Sequence, residues 1–184
     1  MSDFTILRAA DRLSSPWKNG GGVTQEVAVY PPGAGFEDFL WRVSIATITR
    51  EGPFSTLPGV RRLFRALEGR LRITIDGQSH DIGPADPTIA FDGAAAVSAM
   101  PLDGLARDFN LMLRKRFSGS LRRASGRSDI SGDFVLVLAL RQSKISLNES
   151  PLILSTYDAL IIERPLSVVI HSTQSVLIAS IMAS

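Results

Sequence analysis

The chain has 184 residues, 45% of them apolar and 21% charged, which is enough apolar material for a buried core and an ordinary share of charge for a folded domain. Its 20 basic and 18 acidic residues leave a formal net charge of +2, too even a balance to mark a nucleic-acid footprint. There is no cysteine, which removes disulfides, thiolate metal sites, iron–sulfur clusters and cysteine nucleophiles together.

Met1 to Ala10 carries Asp3 and lacks a long apolar run, so no secretory signal is expected. No uncharged apolar stretch of about 18 residues occurs further on, so no membrane span is expected and the cytoplasm is the expected location. The recurring pattern is a short alternating run closed by turn residues. Val23 to Tyr30 and Phe39 to Ile48 are the first two runs, split by Pro31, Pro32, Gly33 and Gly35. Leu71, Ile73 and Ile75 share one face of a third, with Arg72 and Thr74 opposite. Asp76-Gly77 is a hairpin signal, and Gly83-Pro84, Asp86-Pro87, Asp92-Gly93 and Asp103-Gly104 punctuate the chain up to residue 104.

Helical periodicity is weak, and one-turn pieces near Phe54 to Leu57 and Pro151 are the best candidates. Phe134 to Leu140 is continuously apolar and predicts a strand buried on both faces. Leu152 to Leu154, Ala159 to Ile162, Leu166 to Ile170 and Val176 to Ile181 predict further strands. Runs at a spacing of about 8–12 residues indicate an all-β sandwich or barrel. The Ser-, Gly- and Arg-rich segment from Lys115 to Ser131 reads as a linker, with Phe117 to Arg123 as an alternative strand. The expected division is an N-terminal half, 1–115, and a C-terminal half, 116–184.

Four stretches could carry chemistry. The first is Pro16-Trp17-Lys18-Asn19-Gly20-Gly21-Gly22, running on to Thr24 and Glu26. A phosphate loop opens onto a helix N-terminus, whereas a strand comes next here, so a glycine-rich turn competes well with any ligand role. The second is Trp41 to Ala46. Alternation puts Trp41, Val43 and Ile45 on one face and Arg42, Ser44 and Ala46 on the other. An inward arginine needs a carboxylate, from Glu26, from Asp108 or from a ligand. In the third, Phe109, Leu111 and Leu113 oppose Asp108, Asn110 and Met112, and the polar set needs partners unless it lies on a solvated edge strand. The fourth is Arg61, Arg62 and Arg65, of which Arg62 and Arg65 face opposite ways; one could look inward, though most such charges are solvated.

The basic run Arg114-Lys115-Arg116 with Arg122, Arg123 and Arg127 has only Phe117 interleaved and no recognition helix, so a solvated linker is favoured over nucleic-acid binding. His80 and His171 lie in different halves, His80 expected exposed and His171 structural, and two distant histidines without cysteine do not make a transition-metal site. No G-x-S-x-G elbow is present.

Taken in order, P-W-K-N-G-G-G-x-T-x-E at Pro16 to Glu26, W-R-x-S-x-A at Trp41 to Ala46, G-P-F-S-x-x-P-G at Gly52 to Gly59 and D-F-N-L-M at Asp108 to Met112 resemble the HutD/Ves family. The resemblance implies an all-β bicupin, two fused cupin-like barrel halves, in a bacterial protein tied to histidine utilisation. It further implies a ligand-binding, regulatory protein sensing a formylglutamate-like metabolite, with neither metal nor other cofactor.

The pocket residues it implies are Trp17, Lys18, Asn19, Thr24, Glu26, Arg42, Ser44, Arg62, Asp108 and Asn110. Arg61 stands where the family usually has Asp. On this reading Arg42, with Lys18 or Arg62, holds the carboxylates of a small dicarboxylate. Asn19, Ser44 and Asn110 read an amide or formyl group, and Glu26 and Asp108 orient the cations. The expected partner is a small polar or carboxylate metabolite, with no membrane and no nucleic acid, and exposed strand edges are compatible with a homodimer. The alternatives are a metal-independent enzyme of histidine degradation, with Glu26 as base and Lys18 as acid, and an interaction module whose pocket is plugged by apolar side chains.

Overall fold

The computed structural model describes residues 4–147, 150–163 and 168–184, and these are almost entirely strand. In chain order the strands are β1 (Phe4–Leu7), β2 (Ser14–Pro16), β3 (Gly22–Tyr30), β4 (Trp41–Ile48), β5 (Gly52–Pro53), β6 (Val60–Glu68), β7 (Leu71–Ile75), β8 (Gln78–Ile82), β9 (Ile89–Asp92), β10 (Val97–Pro101), β11 (Ala106–Arg114), β12 (Phe117–Ile130), β13 (Phe134–Ala139), β14 (Ser143–Leu147), β15 (Ser150–Leu154), β16 (Ala159–Glu163) and β17 (Val168–Ala183). A 3-10 turn at Ala9–Asp11 is the helical element among the described residues.

The chain divides into two units. One is Leu13–Lys115; in the other, residues up to Arg12 join Arg116–Ser184. Sequence order alone assigns that N-terminal stretch to the first half. Strand pairing puts it elsewhere, because β1 adds antiparallel to β16, with Phe4 opposite Ile162 and Leu7 opposite Ala159.

The Leu13–Lys115 unit holds two curled antiparallel sheets. The larger runs β2-β3-β4-β11-β6-β9 and the smaller β5-β10-β7-β8. They face one another through an apolar cluster. Ile48, Phe64, Ala66, Phe91 and Ala106 come from the larger sheet, and Leu71, Ile73, Ile82, Val97 and Ala99 from the smaller. The hairpin β7–β8 turns at Asp76-Gly77, both at positive φ (46° and 83°), as a two-residue primed turn requires. Strand β3 carries a bulge between Glu26 and Ala28, so Glu26 pairs with Ser44 while Val29 pairs with Arg42.

The second unit is one seven-stranded sheet. Its core joins Val135, Val137 and Ala139 with Ile145, Leu160, Ile162, Ile170, Val176 and Ile178. Every residue of β13 is buried, in keeping with its continuous hydrophobicity. The runs expected around residues 170 and 176–181 belong to one long strand, β17; Leu166 and Ser167 lie outside the described residues.

Three expectations are corrected. The Lys115–Ser131 segment is the fourteen-residue strand β12 rather than a linker. Gly126 serves pairing, since it sits at positive φ (69°) where the β12–β17 register shifts, a bulge position that suits a residue without Cβ. Phe54 to Leu57 is irregular and Pro151 lies within β15, an edge strand, where a missing N–H costs the ladder least. His171 is exposed on β17 rather than structural.

The β1–β16 junction is tied by one carboxylate. Asp158, buried just before β16, accepts hydrogen bonds from Arg8 Nη1 (2.8 Å), the Ala9 N–H (2.8 Å) and the Ser155 N–H (3.0 Å). Burial pushes its pKa up, but bonds from Ala9, Arg8 and Ser155 outweigh burial and hold it below the ordinary value. A lowered carboxylate stabilises the fold above about pH 4, and that stability fades as pH falls through the lowered value. Asp158→Ala, which strands the Ala9 and Ser155 donors, should cost about 2–4 kcal/mol in urea denaturation and flatten the acid limb of stability against pH.

Candidate functional site

The site arises from which residues of β4, β11 and β6 share a face. Asp108 pairs with Ala46 and Ala66, Asn110 with Ser44 and Phe64, and Met112 with Arg42 and Arg62. Even-numbered residues of these strands therefore look into the unit. At one end they are apolar (Ile48, Ala106, Ala66, Phe64) and close against the smaller sheet. Toward the other they are Ser44, Asn110, Arg42 and Arg62, and there the sheets leave a cavity of about 520 Å³. The odd-numbered residues Trp41, Val43, Phe109, Leu111 and Leu113 are fully buried on the opposite face. That burial fixes the register, since a one-residue slip would exchange the two sets.

Arg42 is held on two sides. Its Nε donates to Glu26 Oε2 at 2.8 Å, and its guanidinium lies 4.0 Å from the centroid of the Phe36 ring. Its Nη1 is buried and has no hydrogen-bond partner. Phe36 reaches this place on the loop between β3 and β4, which Arg114 anchors by donating to the carbonyls of Phe39 (2.7 Å), Glu37 (3.0 Å) and Phe36 (3.1 Å). Arg114 is thus a structural clamp, not part of a solvated run.

Arg62 is 6% exposed, against the expectation that such charges are solvated. Its Nε donates to Asn110 Oδ1 (3.4 Å) and its Nη1 to the Ser55 carbonyl (3.3 Å), and its guanidinium lies 4.8 Å from the centroid of the Phe54 ring and 5.3 Å from that of Phe91. Burial lowers its pKa to about 10, with Asp108 pulling the other way. Arg65, on the opposite face, is buried too and donates to the Pro84 carbonyl (3.4 Å). Arg61 is exposed.

Asp108 is 1% exposed, and its Oδ2 has no hydrogen-bond partner. Burial raises its pKa to about 8, opposed by the charge of Arg62. β11 lies between β4 and β6, so the solvated edge-strand reading of Asp108 and Asn110 does not hold.

The glycine run is explained by backbone proximity. A Cβ on Gly22 would stand 2.5 Å from the Thr47 carbonyl, and Gly20 takes a φ of 67°. The turn before β3 positions the rim. Trp17 Nε1 donates to Thr24 Oγ1 (2.7 Å), and Asn19 Oδ1 accepts from the Gly21 N–H (2.9 Å). Trp17 packs edge-on against Phe54, with centroids 6.0 Å apart. Lys18 is exposed at the cavity rim.

A family model described as HutD matches residues 9–178. The chain belongs to the HutD family. It is 41% identical over 144 residues, 76% of its length and 75% of the relative's, to an uncharacterized 21.2 kDa protein in the hutC 3′ region of Pseudomonas putida. It is 40% identical to Protein Ves of Escherichia fergusonii over 53% of its own length, and spans about half, 51%, of that relative. The structure of HutD from Pseudomonas fluorescens SBW25, solved in a formate condition, superposes with a TM-score of 0.86 at 29% identity, covering 99% of this chain and 100% of that one. A cupin 2 conserved barrel domain protein from Leptotrichia buccalis shares the fold alone, with a TM-score of 0.59 at 11% identity over 94% of this chain and 92% of that one. The architecture is cupin-like, and the family is linked to histidine utilisation by name and by the gene context of the P. putida relative.

Of the residues singled out from sequence, Trp17, Lys18, Asn19, Thr24, Arg42, Ser44, Arg62, Asp108 and Asn110 line this cavity together. Glu26 does not line it and acts on it through Arg42. Sequence reasoning missed Phe36, Phe54 and Ser55. Phe54 and Ser55 stand inside the G-P-F-S stretch and could have been flagged there. Phe36 carries no local signal, because its loop is placed by Arg114, 78 residues away.

Two outcomes are expected. Gly22→Ala should lower the melting temperature by several degrees in differential scanning fluorimetry, because the Thr47 backbone cannot yield. Asp108→Asn swaps a carboxyl for an uncharged group of similar shape. A raised carboxyl is neutral in the fold and ionised when unfolded, so it penalises folding increasingly from about pH 4 to about pH 8 and constantly above. Thermal melts should show the variant gaining on wild type across that window, by about 1 kcal/mol or more at its top.

Proposed function

We propose that this HutD-family chain is a small-molecule binding protein whose cavity takes an anionic metabolite of histidine degradation, formylglutamate-like in size and charge, and that it serves regulation rather than turnover. The observation that carries this reading is Arg42 Nη1. It is a buried, charged donor with no acceptor, on a guanidinium whose Nε and face are already fixed by Glu26 and Phe36. Leaving such a donor unpaired is costly, and a carboxylate entering the cavity would supply the acceptor.

Arg62 stands across Met112 from Arg42, two strand spacings or roughly 10 Å away at the backbone, which suits the two ends of a short dicarboxylate. Ser44 and Asn110 stand in the neighbouring row of the same face to read an amide or formyl group, and Lys18 at the rim adds a third cation. A mixed-charge cavity also argues against a plugged interaction module. The enzymatic alternative is weaker because Glu26, its proposed base, is committed to Arg42 and does not line the cavity.

Calorimetric titration with N-formylglutamate, urocanate and histidine tests the reading. Binding of the dicarboxylate is expected, weakened about 100-fold in Arg42→Ala. No heat with any of the three would overturn it.

A further inference from the structure

The cavity that attracts an anion also contains a carboxyl group that would repel one. Resting on the binding reading above, we propose that Asp108 engages the ligand as the neutral acid, its hydroxyl donating to a carboxylate oxygen that Arg62 approaches from the other side, so that binding at this site is proton-linked.

The geometry leads there in three steps. First, Asp108 Oδ2 is buried, lines the cavity and has no hydrogen-bond partner, so a polar atom is held ready with nothing to satisfy it. Second, the nearest cation is engaged elsewhere. Arg62 donates Nε to Asn110 and Nη1 to the Ser55 carbonyl, neither of which is Asp108, while its guanidinium still lines the cavity beside the rings of Phe54 and Phe91.

Third, the other charges around the cavity do not neutralise Asp108. From β4 Arg42 is paired with Glu26 of β3, from β6 comes Arg62, and from the turn before β3 Lys18 stands exposed at the rim. From its own strand come the uncharged Asn110 and Met112, and the smaller sheet contributes Leu71, Ile73, Val97 and Ala99 to the inward cluster. Burial without a committed cation favours the protonated form, in keeping with a pKa raised to about 8. A protonated carboxyl is a donor, and with Arg62 it turns this wall into a two-donor receptor for a carboxylate. Ionised Asp108 would instead face the ligand as a like charge.

The consequence has a fixed sign. Affinity for an anion is level below the pKa of free Asp108 and falls by up to about tenfold per pH unit above it. Calorimetry with N-formylglutamate and with glutarate, from about pH 6 to about pH 9.5, should show that fall in the wild type. Proton uptake on binding should appear above about pH 8 when buffers of different ionisation heat are compared. Asp108→Asn, still a donor but unable to ionise, should lose most of the alkaline decline relative to its own affinity at neutral pH.

Binding that is level with pH and takes up no proton in the wild type overturns the inference while leaving the binding reading intact. An alkaline decline equally steep in Asp108→Asn also overturns it, since another group would then be titrating. If Asp108→Asn binds neither probe while melting cooperatively, ionised Asp108 is required and the inference fails. If that variant does not fold, the wild-type buffer comparison decides alone. Absence of binding by either probe at every pH overturns the binding reading and this inference with it.

Discussion

Register across β4, β11 and β6 is the constraint on which the site depends. These three antiparallel strands bury most of one set of side chains, Trp41, Val43, Phe109, Leu111 and Leu113 among them, and thereby commit the alternate set to the interior of the barrel. Exchanging the two sets would give up that apolar burial and carry the guanidiniums and the carboxyl onto a closely packed face, so the polar set keeps its inward orientation. The inward face is consequently graded. Apolar residues close it at one end against the smaller sheet, and charged residues keep it open at the other.

Inside that enclosure the charges are arranged unequally. Arg42 has a carboxylate beside it and an aromatic face upon it, whereas Arg62 relies on neutral acceptors and rings. Low local polarity strengthens whatever each can still reach, and it equally penalises whatever is left unmatched. The unmatched groups, Arg42 Nη1 and Asp108 Oδ2, both belong to residues lining the same hollow, so pairing within the chain does not account for the whole constellation.

Much of this was legible in the chain because alternation is a local property. Arg42, Ser44, Asp108 and Asn110 could be assigned to one face without knowing which strands were neighbours. The hairpin at Asp76-Gly77 and the doubly buried β13 were equally local. What could not be read depends on long-range pairing. That β1 joins β16, that Ser- and Gly-rich β12 is a strand laid along β17, and that Arg114 places Phe36 over Arg42 are facts about partners distant in sequence. The inward position of Arg62 came from the family resemblance, since the local pattern left open which of Arg62 and Arg65 looks inward. The exposure of Arg62 is decided by Phe54 and Phe91, which the local pattern around it does not mention.

The bulge in β3 gives the barrel a parity switch. Before it, even-numbered Thr24 lines the hollow and Glu26 reaches it through Arg42. Beyond it, odd-numbered Val29 shares the row of Arg42 and packs with Phe39, Val60 and Met112. One supernumerary residue thus lets a polar half-strand and an apolar half-strand serve the same interior without either being rewritten. Length changes in this stretch are therefore not equivalent: losing Val27 would restore a regular ladder and keep the facing of Ala28 to Tyr30, whereas losing one position elsewhere in β3 with the bulge retained would slip the register and exchange the two faces.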